Sequence, residues 1–140
     1  MNEINTICQE LIDYSKEWYQ DEITKDELNL KLDLLISRIE RIEINYRQPL
    51  DMASDKAKDT FNSLLAKTRY KAIISLNTLK ATSKKQSYKA KVNFILKNKM
   101  FYGNLHRTMR NNIQGYLHRN QLQYWNPNLS IFKLGGMENE

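Results

Sequence analysis

Only His106 and His118 have side chains that titrate unperturbed near neutral pH. Both lie in the stretch 60–137, which holds 14 Lys and Arg and no Asp or Glu. No carboxylate of that stretch is therefore available to orient an imidazole or share its proton. The two histidines and the one cysteine, Cys8, lack the spacing of a zinc site, and no Gly-rich phosphate loop is present. The expectation is no catalytic residue, no metal and no cofactor, with both histidines as neutral surface contacts. What the stretch does offer is phosphate chemistry. Lys and Arg neutralise backbone phosphates and release counterions, and acids on the same surface oppose this.

The candidate phosphate contacts follow from helical spacing. Lys67 and Lys71 share a face; Lys84 with Lys91 and Lys85 with Lys89 form neighbouring rows continued by Lys97 and Lys99. Arg107, Arg110 and Arg119 make a further row among Asn111, Asn112, Gln114, Asn120 and Gln121, side chains that commonly contact phosphate and sugar. Tyr70, Tyr88, Phe94, Tyr102, Tyr116, Tyr124 and Trp125 are interleaved with these bases. Aromatics of a helical protein are mostly core; Tyr102, Tyr116 and Tyr124 are the candidates for stacking on bases. No helix-turn-helix, zinc-finger or RNA-recognition signature is present, so contact is expected through backbone and shape rather than base sequence. A helical ribonuclease of the HEPN type pairs an Arg with a His four to six residues on; here seven residues separate Arg110 from His118, and the pattern is missed.

The elements that hold these residues read as helices. Four Gly and two Pro in 140 residues leave few of the turns an all-β chain needs. Ile4, Ile7, Cys8, Leu11, Ile12 and Trp18 predict a first helix ending near Tyr19. Thr24 and Glu27 form a capping box, with Ile23 placed to pack on Leu28, so a second helix starts at Lys25. Its seam of Leu28, Leu32, Leu35, Ile39, Ile42 and Tyr46 packs on another long helix, in this chain or in a second copy, and runs until Pro49 ends it. A connector over Arg47 to Ala53 leads to a third helix, capped by Asp51 or Ser54, with a stripe of Phe61, Leu64, Leu65, Thr68, Ala72, Leu76 and Leu79. A second capping box at Ser83 and Gln86 predicts a fourth helix from Lys84, with Tyr88, Val92, Ile95, Leu96 and Met100 toward the core and a stop at Gly103. A fifth, capped by Asn104, carries Leu105, Met109, Ile113 and Leu117 and is weakened by Gly115. The expected fold is all-α, a bundle of four or five helices forming one domain over 1–125. An acidic hairpin occupies 1–50, a basic region 54–125, and a partly ordered tail 126–140, after the turn at Asn126-Pro127-Asn128.

Charge divides along the same boundary. Residues 1–59 carry 14 Asp and Glu against 8 Lys and Arg, so the net charge of +6 combines a half near −6, one near +14 and two acids at the end. Such polarity implies a polyanionic partner for the basic half, and a docking surface for larger protein subunits on the acidic one. Packing of one half on the other, or head-to-tail assembly, is the alternative use of the charge. Even full pairing would leave six positive charges over. The seam from Leu28 to Tyr46 is a possible site of self-association. The single cysteine, the acidic start and the lack of an 18-residue apolar run lead to the expectation of a cytoplasmic protein with no membrane partner.

In length, helix content and charge division, the whole chain resembles the small helical subunit of CRISPR effector complexes. No motif carries over residue by residue. The resemblance implies a non-catalytic subunit that lies along a larger RNA-guided assembly and supports a DNA or RNA strand by its backbone. A phage or mobile-element regulator that acts by binding one host protein is the alternative, in keeping with the Asn-, Lys- and Ile-rich composition.

Overall fold

Apolar residues at three- and four-residue steps become the buried faces of five α-helices in the computed structural model, which describes residues 3–44, 55–119 and 132–134. The fold is an all-α bundle. Helix α1, Glu3–Tyr19, buries Ile4, Ile7, Leu11, Ser15 and Trp18. Its end is closed by two reversed hydrogen bonds, Glu22 N–H to the Glu17 carbonyl at 2.8 Å and Asp21 N–H to that of Trp18 at 3.1 Å. Asp21 takes the left-handed conformation (φ 57°) that this C-cap requires. Helix α2, Lys25–Glu40, starts as expected. The Glu27 amide donates to Thr24 Oγ1 and the Thr24 amide to Glu27 Oε1, each at 3.1 Å, while Ile23 packs against the core.

The second helix is shorter than its seam. It ends at Glu40 with Arg41 as cap, and Ile42–Ile44 form a strand, β1, paired antiparallel with β2, Phe132–Leu134. The cause lies in Ile42-Glu43-Ile44, whose β-branched residues alternate with a charge: Ile42 is buried and Glu43 exposed, the period of a strand. The register sets Ile42 opposite Leu134, Glu43 opposite Lys133 and Ile44 opposite Phe132, so three residues of the expected tail are tied to the end of the acidic half. Leu28, Leu32, Leu35, Ile39 and Ile42 are fully buried within the chain. Of the two packings open to this seam, these five residues take the one within the chain, against α1 and α3. Tyr46, the connector 47–53, the caps Asp51 and Ser54, and the turn at 126–128 lie outside the described residues.

Helix α3, Asp55–Lys80, buries Phe61, Leu65, Thr68, Ala72, Leu76 and Leu79 and packs along α2. Helix α4, Lys85–Lys97, buries Tyr88, Val92 and Ile95. It begins one residue later than expected, so Ser83 precedes the cap position and no capping box forms; the cap residue is Lys84, without a side-chain hydrogen bond. Thr82 instead fills the junction: its buried hydroxyl donates to the Thr78 carbonyl at 2.7 Å and accepts from Lys91 Nζ at 2.9 Å.

The fourth helix also stops early. Lys99–Phe101 make a tight turn in which all three residues have positive φ (46°, 54° and 72°), and α5, Tyr102–Arg119, begins directly after. Gly103 and Asn104 therefore lie inside the first turn of α5 and neither stops nor caps a helix. Left-handed backbone costs an L-residue about 1–2 kcal/mol. Burying Met100 and Tyr102 within two residues, each contributing about 1.5–3 kcal/mol, offsets that cost. Leu105 and Met109 continue the buried face, and Gly115 falls within α5 as expected; the side chains of Ile113, Tyr116 and Leu117 lie outside the described set.

Candidate nucleic-acid interface

Helices α3, α4 and α5 carry the eleven candidate bases. Lys67 and Lys71 project from α3; Lys84, Lys85, Lys89, Lys91 and Lys97 from α4 and its cap; Lys99 from the left-handed turn; Arg107, Arg110 and Arg119 from α5. Ten are exposed and Arg110 is half-buried. Among the described residues Lys85 alone of the eleven makes an ion pair, to Asp21 at 2.8 Å. Lys91 is held at the α3–α4 junction by Thr82. The rest present their charges to solvent.

The acids of the N-terminal half are engaged mainly with their own neighbours. Arg38 on α2 bonds both Glu3 and Glu10 of α1, with Nε to Glu3 Oε1 at 3.0 Å, and Lys31 reaches Glu17 at 3.0 Å. Two ion pairs cross between the halves among the described residues, Lys80 with Asp33 at 2.5 Å and Lys85 with Asp21. The halves are joined instead by apolar packing and one aromatic clasp. Trp18 meets Tyr88 edge-on at 5.1 Å between ring centroids, and the Tyr88 hydroxyl shares a 3.0 Å hydrogen bond with Ser15. The Lys25 ammonium lies 5.3 Å from the Trp18 ring centroid and 5.1 Å from that of Tyr88. It also donates to the Leu79 carbonyl at the end of α3 at 2.8 Å. Packing between the halves thus consumes little of the basic charge.

The start of α4 carries Lys84 and Lys85, no acid in its first turn and no side-chain cap. Positive charge at the positive end of a helix dipole is unfavourable, and a bound anion relieves it. Near α5, His106 is half-buried with its pKa lowered below 6.5, first by burial and then by the charges of Arg110 and Lys99. It is neutral at pH 7. Tyr102, expected as a stacking residue, is 1% exposed and belongs to the core. Burial pushes its phenol up to about 12 against the nearby Arg69 guanidinium. Of the other two stacking candidates, Tyr124 lies outside the described residues, as does the side chain of Tyr116; so do Asn120 and Gln121.

Sequence reasoning did not single out the two aromatics that, among the described residues, stand most exposed. Tyr70 on α3 is 66% exposed and Phe94 on α4 is 59% exposed. The signal was there in the spacing. Tyr70 falls two residues from Thr68 and from Ala72, on the far side of α3 from its stripe, and Phe94 falls just before Ile95, off the stripe of α4. Tyr102 sits in step with Leu105 and Met109 and so points inward.

Among the described residues no group of three His, Cys, Asp or Glu could hold a metal ion, and no helix is long and apolar enough to cross a membrane. No protein family, curated protein or solved structure matches this chain.

Proposed function

We propose that this chain is a non-catalytic subunit that lies along a DNA or RNA backbone within a larger nucleoprotein assembly, as the small helical subunits of CRISPR effector complexes do. One observation carries the reading: ten exposed bases on helices that contain no acid after Asp59, with a single ion pair among the eleven candidates in the described residues. Structural salt bridges do not account for that selection against acids, since few are made and exposed pairs contribute only about 0–1 kcal/mol each. Phosphate neutralisation does, because every acid on such a surface would weaken it.

The test is charge reversal at the α4 face. Replacing Lys84, Lys89 and Lys91 together with Glu should abolish nucleic-acid binding while circular dichroism keeps the helical signal. Replacing them with Gln should reduce the slope of log K against log salt by about 0.9 for each duplex phosphate that is no longer neutralised. Full function after the reversal would contradict the reading.

The second reading, a regulator that binds a host protein, is favoured by Leu30 and Leu34, which stand 67% and 62% exposed one turn apart on α2 beside Asp26, Glu27 and Asp33. Loss of function on Leu30→Asp, with nucleic-acid affinity unchanged, would support it.

A further inference from the structure

We propose that Tyr70 and Phe94 are platforms for unpaired bases, so that the basic surface takes single-stranded rather than duplex nucleic acid. The proposal rests on the backbone-binding reading above and adds what occupies the space beside the phosphates. On α3, Lys67 lies one turn before Tyr70 and Lys71 directly follows it; on α4, Lys91 and Lys97 lie three residues either side of Phe94. Each ring is therefore flanked by cations on the outer face of its helix.

Neither ring has another use among the described residues. There Tyr70 makes no hydrogen bond or ring contact, and Phe94 has one edge-on neighbour, Phe101, at 6.3 Å between centroids. Large apolar rings left in water beside cations match a ligand with negative charge at regular intervals and flat apolar faces between. A single strand has both. In a duplex the base faces are stacked on one another and cannot meet a side chain on a helix surface. Stacking is indifferent to base identity, in keeping with the absence of any base-reading motif.

The experiment uses the full chain and three labelled probes of equal length: oligothymidylate, the same backbone without bases, and a duplex. The unaltered protein should bind oligothymidylate more tightly than the abasic strand. Tyr70→Ala and Phe94→Ala should each weaken oligothymidylate binding by about 5- to 150-fold, the span of single-base stacking losses. They should leave the abasic strand, the duplex and the salt slope unchanged, while Tyr70→Phe and Phe94→Tyr retain affinity. Lys67→Gln and Lys97→Gln should instead weaken all three probes and lower the slope. Equal binding of abasic and base-bearing strands, or alanine variants that weaken all probes alike, would overturn the stacking proposal and leave backbone binding standing. Failure of the unaltered protein to bind any probe would overturn both.

Discussion

His106 reports on the field of the basic region. Burial and the neighbouring Arg110 and Lys99 favour its neutral form, so the folded protein binds this proton less readily than the unfolded chain. The sign follows directly: its contribution to stability is complete above pH 6.5 and is lost as pH falls through the lower, folded pKa. NMR titration should place the midpoint below 6.5, and a bound phosphate backbone should raise it by cancelling the cationic field. Lys99 allows a second check. It is left-handed, with φ 46°, and Lys99→Gly should raise stability by about 1 kcal/mol in denaturant unfolding. The same change removes one of the two charges depressing His106, so that pKa should move back toward 6.5. The exposure of ten of the eleven candidate bases was readable from the chain, because their spacing sets them off the apolar stripes of their helices. Tyr102 was misplaced because type was weighed before phase: it lies on the apolar stripe of its helix, whereas Tyr70 and Phe94 lie off theirs and stand exposed.

Capping distinguishes two helices that look alike in sequence. Thr24 and Glu27 close a reciprocal box at α2, so Thr24→Ala should cost about 1 kcal/mol in chemical denaturation. Ser83 and Gln86 have the same spacing, but the chain enters α4 at Lys84 and the box does not form. Ser83→Ala should therefore change stability by less than about 0.5 kcal/mol, the ordinary range for an exposed surface position. The end of α1 at Tyr19, the start of α2 at Lys25, and the buried stripes of α3 and α4 followed from local spacing. The ends of α2 and α4 did not, because they depend on partners far along the chain. The strand at Ile42–Ile44 exists through pairing with Phe132–Leu134, some ninety residues on, and the turn at Lys99–Phe101 persists through the burial of Met100 and Tyr102 in a core assembled by other helices. The strand had a local sign, the alternation of Ile42-Glu43-Ile44; the left-handed turn had none.

Taken as one body, the protein joins its two halves with apolar contacts and the Trp18–Tyr88–Lys25 clasp, and among the described residues makes little use of charge between them. Salt should accordingly leave stability nearly unchanged while sharply reducing any interaction that depends on the basic helices. That contrast separates the proposed role from packing of the acidic half on the basic half within the fold. The most direct measurement is fluorescence anisotropy of labelled single-stranded DNA, single-stranded RNA and duplex DNA, each of scrambled sequence, at about 50 mM and at near-physiological salt. Affinity that falls steeply with salt, with a slope corresponding to several neutralised phosphates, is the predicted result. Absence of binding at about 50 mM salt, where backbone contacts are strong, would contradict the account and turn attention to the exposed Leu30 and Leu34 face as a protein-binding surface.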